Sequence, residues 1–275
     1  MAKRKPSNHR KAAKSTPFHS KPPASGENGE EMVQIYGQHA VRAALQNRSR
    51  RLLSLYATEN AAQGLKAEID AARLQPKIVK PAEIAAMLPP DIVHQGLLLS
   101  CSVAHQPGLE DVAAQGGLLV LLDQVSDPRN VGAIFRAAAF FGAAAIITTR
   151  RHAPPPAGAL AKTASGALEK LPYIMIANLA RALETLQEFN YLTVGLDETG
   201  ETLIDAVPRD RPLAIVMGAE GKGLRRLTRE NCQMLARLPA AQTQSTGAFT
   251  TLNVATATAV SLYALTRPPV LPGGG

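Results

Sequence analysis

The chain has 275 residues, 45% apolar and 19% charged, enough apolar surface for one or two packed domains and too much for global disorder. Aromatics are only 4% and Trp is absent, which excludes a module built on exposed stacking platforms for single strands. The formal net charge is +8, but residues 26–275 hold 23 basic and 22 acidic side chains, which excludes a strongly basic body.

The remaining charge lies at the start of the chain. Lys3, Arg4, Lys5, Arg10, Lys11, Lys14 and Lys21 fall within residues 1–25 with no Asp or Glu, and no Leu, Ile or Val precedes Val33. Such a composition cannot bury enough apolar area to offset the entropy of ordering, so residues 1–33 are expected to form a disordered basic tail. It has no apolar run of the kind a secretory signal needs. It serves either as a solubilising tail or as a polyelectrolyte arm that attracts RNA by counterion release.

Patterned sequence begins near Gln34, and residues 34–104 read as a small α/β unit. Helices are expected over 39–46, 61–72 and 82–88, and strands over 51–57, 77–79 and 97–103. Residues 105–117 have the composition of a linker. From residue 118 the pattern changes to short continuous apolar runs at 118–122, 144–148, 173–176, 191–196, 213–217 and 234–238. Continuous runs are the mark of strands covered on both faces. Helical stretches separate most of them, the clearest over 178–188 with Leu179, Leu183 and Leu186 on one face. This alternation predicts an α/β fold, a mainly parallel sheet with helices on both faces. Residues 118–268 form this second domain, and 269–275 a flexible C-terminus. Ligands of such sheets sit at the carboxyl ends of the strands, so the segments after Leu122, Met217 and Leu238 are the places to search.

The first segment runs Asp123-Gln124-Val125-Ser126-Asp127-Pro128-Arg129-Asn130-Val131-Gly132-Ala133-Ile134-Phe135-Arg136. Asp127-Pro128 is a helix start, with Asp as N-cap and Pro at the first helical position. Val131, Ile134, Phe135, Ala138 and Phe141 then share a face, and Arg136 points away from it. A solvated arginine and a guanidinium aimed at phosphate or ribose both fit that position. The second segment, Gly218-Ala219-Glu220-Gly221-Lys222-Gly223-Leu224, spaces its glycines as G-x-x-G-x-G. That is neither the dinucleotide fingerprint nor a P-loop. The third is the polar stretch 240–250 followed by Thr251-Leu252-Asn253-Val254-Ala255. Asn253 stands where it could cap a helix rich in small residues.

These three motifs, in this order and at these strand ends, resemble the SpoU subfamily of the SPOUT RNA 2'-O-ribose methyltransferases. The run MGAEGKGLRRLTRENC is especially similar to the bacterial 23S rRNA guanosine-2'-O-methyltransferases. KTASGALEKLP at 162–172 also fits, and IYGQHAVRAAL, from Ile35, resembles the family's L30e-like RNA-binding domain, so the likeness spans 34–268. The third motif departs from the family's Ser-Leu-Asn-Val-Ser: Thr251 keeps a hydroxyl, Ala255 lacks one, and the stretch from Pro239 to Gly247 is longer than usual.

The resemblance implies a C-terminal trefoil knot, S-adenosyl-L-methionine as cofactor, no metal, a homodimer with a shared active site, an RNA substrate and a cytoplasmic location without membrane contact. It implies Gly218, Leu238 and Leu252 as cofactor-binding positions. Asn130, Arg136, Glu220 and Asn253 match catalytic or substrate-orienting positions, with Glu220 expected to orient Arg136 or Asn130. A guanosine of 23S rRNA is the first substrate expected and a tRNA ribose the second. The altered third motif leaves open an RNA-binding protein without activity.

Overall fold

A computed structural model of the chain describes residues 31–239 and 252–267. Residues 1–30 of the expected tail, the polar stretch at 240–251 and the segment 268–275 lie outside the described residues.

The N-terminal unit comprises β1 (Met32–Tyr36), α1 (Gln38–Gln46), β2 (Leu52–Ala57), α2 (Glu59–Gly64), α3 (Lys66–Ala71), β3 (Lys77–Ile78), α4 (Pro81–Ala86) and β4 (Leu97–Ser102). Its sheet runs β1-β4-β2-β3, with β4 antiparallel to both neighbours and β3 parallel to β2. Two expectations are corrected here. The tail does not extend to residue 33, because Met32 and Val33 are buried in β1, where Val33 pairs with Cys101. Five residues next to a polar segment are too few to show their alternation. The single helix expected over 61–72 is two helices, parted after Gly64 at Leu65, a fully buried residue with φ −123° and ψ 19°.

The second unit follows as α5 (Leu109–Gln115), β5 (Leu118–Asp123), α6 (Pro128–Phe140), β6 (Ala145–Thr149), α7 (Gly158–Ala164), β7 (Tyr173–Ile176), α8 (Leu179–Glu188), β8 (Leu192–Leu196), β9 (Thr202–Leu203), β10 (Leu213–Gly218), α9 (Arg226–Asn231), β11 (Met234–Arg237) and α10 (Val254–Thr266). The stretch with linker composition at 105–117 therefore contains a helix. Leu109, Val112 and Ala113 form a buried stripe, and the Asp111 carboxylate accepts the Gly108 amide at 2.9 Å. A helix of seven residues, about two turns, next to Gly and Gln gave that stripe little contrast.

The seven strands of the second sheet are ordered β7-β6-β5-β10-β8-β11-β9, and every pairing is parallel. Along β5, Val120 and Leu122 pack into one apolar layer and Leu119 and Leu121 into the other. β10 divides likewise, with Ile215 and Met217 on one side and Ala214 and Val216 on the other. Alternate side chains face opposite layers, so both must be apolar, and this is why the strands read as unbroken runs. No helix among the described residues is long and apolar enough to cross a membrane.

The two units share one apolar core and one buried ion pair. Arg50, between α1 and β2, donates Nε–H to Glu169 Oε2 at 2.7 Å and Nη2–H to Oε1 at 2.8 Å. Glu169 ends the 3-10 turn Ala167–Glu169. Asn47 donates to the same carboxylate at 2.7 Å, and Arg50 Nη1 reaches the Ser102 carbonyl at 2.6 Å. The two side chains are 1% and 5% exposed. Burial without such partners would be prohibitive for either charge. Replacing Arg50 or Glu169 with Ala leaves the other stranded, so each variant should lose about 3–5 kcal/mol of stability. Urea unfolding followed by circular dichroism checks this, and a loss within ~0.5 kcal/mol would mean that the pair does not hold the units together.

Candidate active site

All three sequence motifs reach the same edge of the second sheet, because parallel strands all end on one side. β5 ends at Asp123, which pairs in register with Gly218 at the end of β10. Asp123 is fully buried. Its Oδ2 accepts the Arg225 amide at 2.9 Å and its Oδ1 accepts the Arg225 guanidinium at 2.6 Å. This pair binds the far end of the glycine turn back to the neighbouring strand. Sequence reasoning missed it as a functional feature. Its signal was a carboxylate closing an otherwise apolar strand.

Between Gly218 and Arg225 the chain folds back on itself. Ala219 bridges Gly223, whose amide donates to the Ala219 carbonyl at 2.9 Å. A Cβ on Gly218 would lie 2.2 Å from the Gly223 carbonyl carbon, so no side chain fits there. Gly221 and Gly223 have φ of 74° and 61°, the left-handed region that glycine adopts without penalty. Around Gly221 a Cβ would meet nothing within 4 Å, so the outer face of the turn is open. Glu220 stands exposed in it. Burial, then the Asp123 charge, pushes the Cys232 thiol up to about 12, which removes it as a nucleophile at neutral pH.

The first motif leaves β5 through Gln124, which has φ 63°, and enters α6. Asp127 caps that helix by accepting the Arg129 amide at 2.9 Å, with Pro128 at the first helical position as expected. The Arg129 guanidinium and amide hold the Asp127 carboxyl below the ordinary carboxylate range. Val131, Ile134, Phe135 and Ala138 are buried and Arg136 is exposed, the disposition expected from the helical period.

Asn130 and Asn253 are brought together across 123 residues: Asn253 Nδ2 donates to Asn130 Oδ1 at 3.0 Å. Asn253 also caps α10, its Oδ1 accepting the amides of Ala255 at 2.9 Å and Thr256 at 3.4 Å. These bonds fix both amides. With its oxygen on the helix, Asn253 must turn its NH2 to Asn130, and Asn130 must answer with oxygen. The Asn130 NH2 is then left as a donor with no partner among the described residues. Ala255, where the family pattern has Ser, contributes only its backbone amide to this arrangement, so the missing hydroxyl leaves the cap intact.

The other expected site residues are not joined to this pair. Arg136 stands six residues beyond Asn130, about 9 Å along the helix, and makes no hydrogen bond or ion pair with a described residue. No hydrogen bond links Glu220 to Arg136 or to Asn130 among the described residues. The expected orienting role of Glu220 therefore has no counterpart within one copy of the chain. Leu238 is half-buried just after β11, and Leu252, just before Asn253, is 53% exposed. β10 and β11 are separated only by β8, which puts Gly218 and Leu238 about 10 Å apart across two strand spacings. The remainder of the third motif, with Thr251, lies outside the described residues.

Comparison with known proteins gives the same outline. Residues 117–263 match the SpoU rRNA Methylase family, and residues 34–107 match the RNA 2'-O ribose methyltransferase substrate-binding family. The chain is 36% identical over 242 residues to the 23S rRNA (guanosine-2'-O-)-methyltransferase RlmB of Yersinia pestis, covering 85% of this chain and 96% of that protein. The same enzyme of Pseudomonas putida is 35% identical over 247 residues, covering 86% of this chain and 97% of its own length. Among solved structures, the SpoU methyltransferase AviRb from Streptomyces viridochromogenes, in complex with AdoMet, superposes with a TM-score of 0.72 at 20% identity, covering 87% and 90% of the two chains. An AdoMet-bound rRNA methyltransferase from Sinorhizobium meliloti superposes with a TM-score of 0.69 at 21% identity, covering 85% and 86%.

The two duties of Asn253 separate experimentally. Asn253→Ala removes the cap and should cost about 1 kcal/mol in unfolding free energy. Asn253→Asp keeps an equally good cap, so its stability should stay within ~0.5 kcal/mol of the parent at neutral pH, while the donor facing Asn130 is lost. Equal stability of all three proteins in urea would show that the cap bonds are not formed.

Proposed function

The chain belongs to the SpoU rRNA methylase family, and we propose that it is an S-adenosylmethionine-dependent 2'-O-ribose methyltransferase acting on a guanosine of 23S rRNA. The observation that carries this reading is the Asn253–Asn130 bond. It joins the first and third motifs at the strand edge that also holds the glycine turn, and leaves the Asn130 NH2 without a partner among the described residues. The same bond favours an active enzyme over an RNA-binding protein without activity, because the change at Ala255 does not disturb it. The relatives above, matched over nearly their whole length, support 23S rRNA as substrate, and a cytoplasmic location goes with that substrate.

The residues present suit the cofactor. An adenosyl group needs apolar walls and backbone donors and acceptors at its edges. Leu238 and Leu252 supply walls, and the turn from Gly218 to Gly223, open on its outer face at Gly221, supplies backbone. S-adenosylmethionine, when bound, provides an electrophilic methyl group, and the chain contributes position and charge. The nucleophile is a weakly acidic ribose hydroxyl. Arg136 stays protonated at any working pH, so its role is to grip the adjoining phosphate and stabilise the developing alkoxide. The proton passes to a phosphate oxygen or to water. The Asn130 NH2 orients the ribose, and Asn253 holds Asn130 in that orientation.

The catalytic unit is read as a homodimer. Phe140 is 82% exposed on α6, and Val260 and Tyr263 are exposed on α10, which packs against α6. Phe141 joins this patch in edge contact with both Phe140 and Tyr263. A helix that is apolar on nearly every side calls for a cover on each. Arg136 lies one turn before Phe140 on the same exposed face, so a second copy seated on the patch would lie beside Arg136. The pairing of Arg136 with Glu220 is accordingly read across the dimer. The finer features of the fold belong to the same reading. The return of α10 onto α6 and β10 after β11 supports a knotted C-terminus, and the mixed four-stranded sheet supports an L30e-like first domain.

Tritium transfer from labelled S-adenosylmethionine to an unmodified 23S rRNA transcript tests the assignment, with 2'-O-methylguanosine as the expected product. Incorporation into bulk tRNA alone would overturn the rRNA assignment, and binding without incorporation would overturn the enzyme. Arg136→Ala should lower the single-turnover rate by about 10²–10³-fold with cofactor affinity unchanged by calorimetry, and Arg136→Lys should recover little of it. A wild-type rate in Arg136→Ala would remove it from the mechanism. Phe140→Glu combined with Tyr263→Glu should give a monomer by light scattering, and with it the loss of methyl transfer. An active monomer would refute the shared site.

A further inference from the structure

A second cleft opens on the same edge of the sheet and shares only Gln124 and Arg225 with the candidate active site. It has a volume of about 700 Å³, within the range of roughly 300–1,000 Å³ typical of small-ligand sites. Its walls come from the ends of β6 and β7, the start of α8 and the start of α9. Arg151, His152, Arg225 and Arg226 line it, and none of the lining residues is Asp or Glu. The charges nearby are not all free: Arg225 pairs with the buried Asp123, and Arg226 pairs with Glu230 one turn along α9. Arg151 is exposed and makes no hydrogen bond or ion pair with any described residue. The amides at the start of α8 are already taken by Asn178, so an anion in the cleft would be held by the guanidinium groups. Leu227, 58% exposed, adds an apolar wall.

The cleft has a fixed relation to the reaction centre. Arg225 forms its wall and, through Asp123, also anchors the glycine turn. Strand β7 lies three spacings from β10, about 14 Å at ~4.8 Å each. Asn130 stands at the start of α6, which packs on one face of the sheet, and the cleft at the start of α8, which packs on the other, so an RNA strand that passes over this edge can rest a ribose at Asn130 and leave its neighbouring residues in the cleft. A larger cleft between β7 and the first domain lacks this character, since Glu31 and Glu110 share its walls with Arg150 and Arg181.

We propose that the Arg151–Arg226 cleft is an RNA-anchoring subsite, which takes a backbone phosphate of a nucleotide flanking the methylated one and shelters its base or sugar against Leu227. This rests on the RNA methyltransferase reading and adds a binding site to it. Phosphate contacts position a nucleic acid without reading its sequence, so the cleft sets the register of the strand and leaves the choice of nucleotide to other groups.

The test uses the full-length chain and an unmodified 23S rRNA transcript. Arg151 and Arg226 are replaced together, because Arg225 holds a buried carboxylate and its loss would disturb the fold. Arg151→Ala/Arg226→Ala should bind the transcript about tenfold more weakly and show a matching fall in kcat/KM. Its slope of log affinity against log salt should be shallower by about 1.4, or roughly 0.7 for each lost contact to a single strand. S-adenosylmethionine affinity and Tm should stay at wild-type values, which verifies folding. Arg151→Lys/Arg226→Lys keeps both charges and should retain the wild-type salt slope. Unchanged affinity and slope in the Ala pair, with a wild type that methylates the transcript, would overturn the subsite. Weaker binding with an unchanged slope would overturn it too, by showing that the contact is not to phosphate. A wild type that neither binds nor methylates the transcript would instead overturn the functional reading.

Discussion

Seven strands that all run the same way must all leave the sheet at the same edge, and the chemistry of this protein follows from that constraint. A parallel sheet is covered on both faces, so β5 and β10 are apolar throughout and polar groups can enter only where the strands stop. Asp123 is the first such group. As a fully buried carboxylate it needs a partner, and Arg225 supplies both its amide and its guanidinium. Meeting that need pulls the chain after β10 across to β5 and shapes the glycine turn. A packing requirement at the end of one strand thus sets the backbone of the loop on which cofactor binding is proposed.

The third motif meets the first through economy of function in one side chain. Asn253 satisfies the open amides of α10 with its oxygen, as a helix start requires, and this obliges its nitrogen to face Asn130. Orientation at the site is therefore inherited from a helix cap. The Ala at position 255 leaves its backbone amide in place, and with it both the cap and the Asn253–Asn130 bond.

Most of this architecture is legible in the residue pattern. The runs at 118–122, 173–176 and 213–217 lie within a residue of the observed strands, because two-sided burial imposes an apolar residue at every position. The Asp127-Pro128 helix start and the exposure of Arg136 follow equally directly. What escaped depends on contacts distant in sequence. β1 is a strand because β4 accepts it, and α5 is a helix because three side chains find a buried seat beside α8. The Asp123–Arg225 pair spans 102 residues: a carboxylate closing an apolar strand marks one partner, and nothing local marks the other. The cleft at Arg151 and Arg226 draws on four separate elements, so no window of sequence displays it.

The ion pair at the junction of the two units has a consequence for how the chain is made. Arg50 and Glu169 are 119 residues apart. At about 5–20 residues per second, Arg50 emerges from the ribosome about 6–24 s before its partner. Until then the guanidinium lacks its carboxylate partner, and an unpaired charge is too costly to bury. Any early packing of β1, α1 and β2 therefore has to leave the surface that will meet Glu169 open to water until the turn at 167–169 arrives.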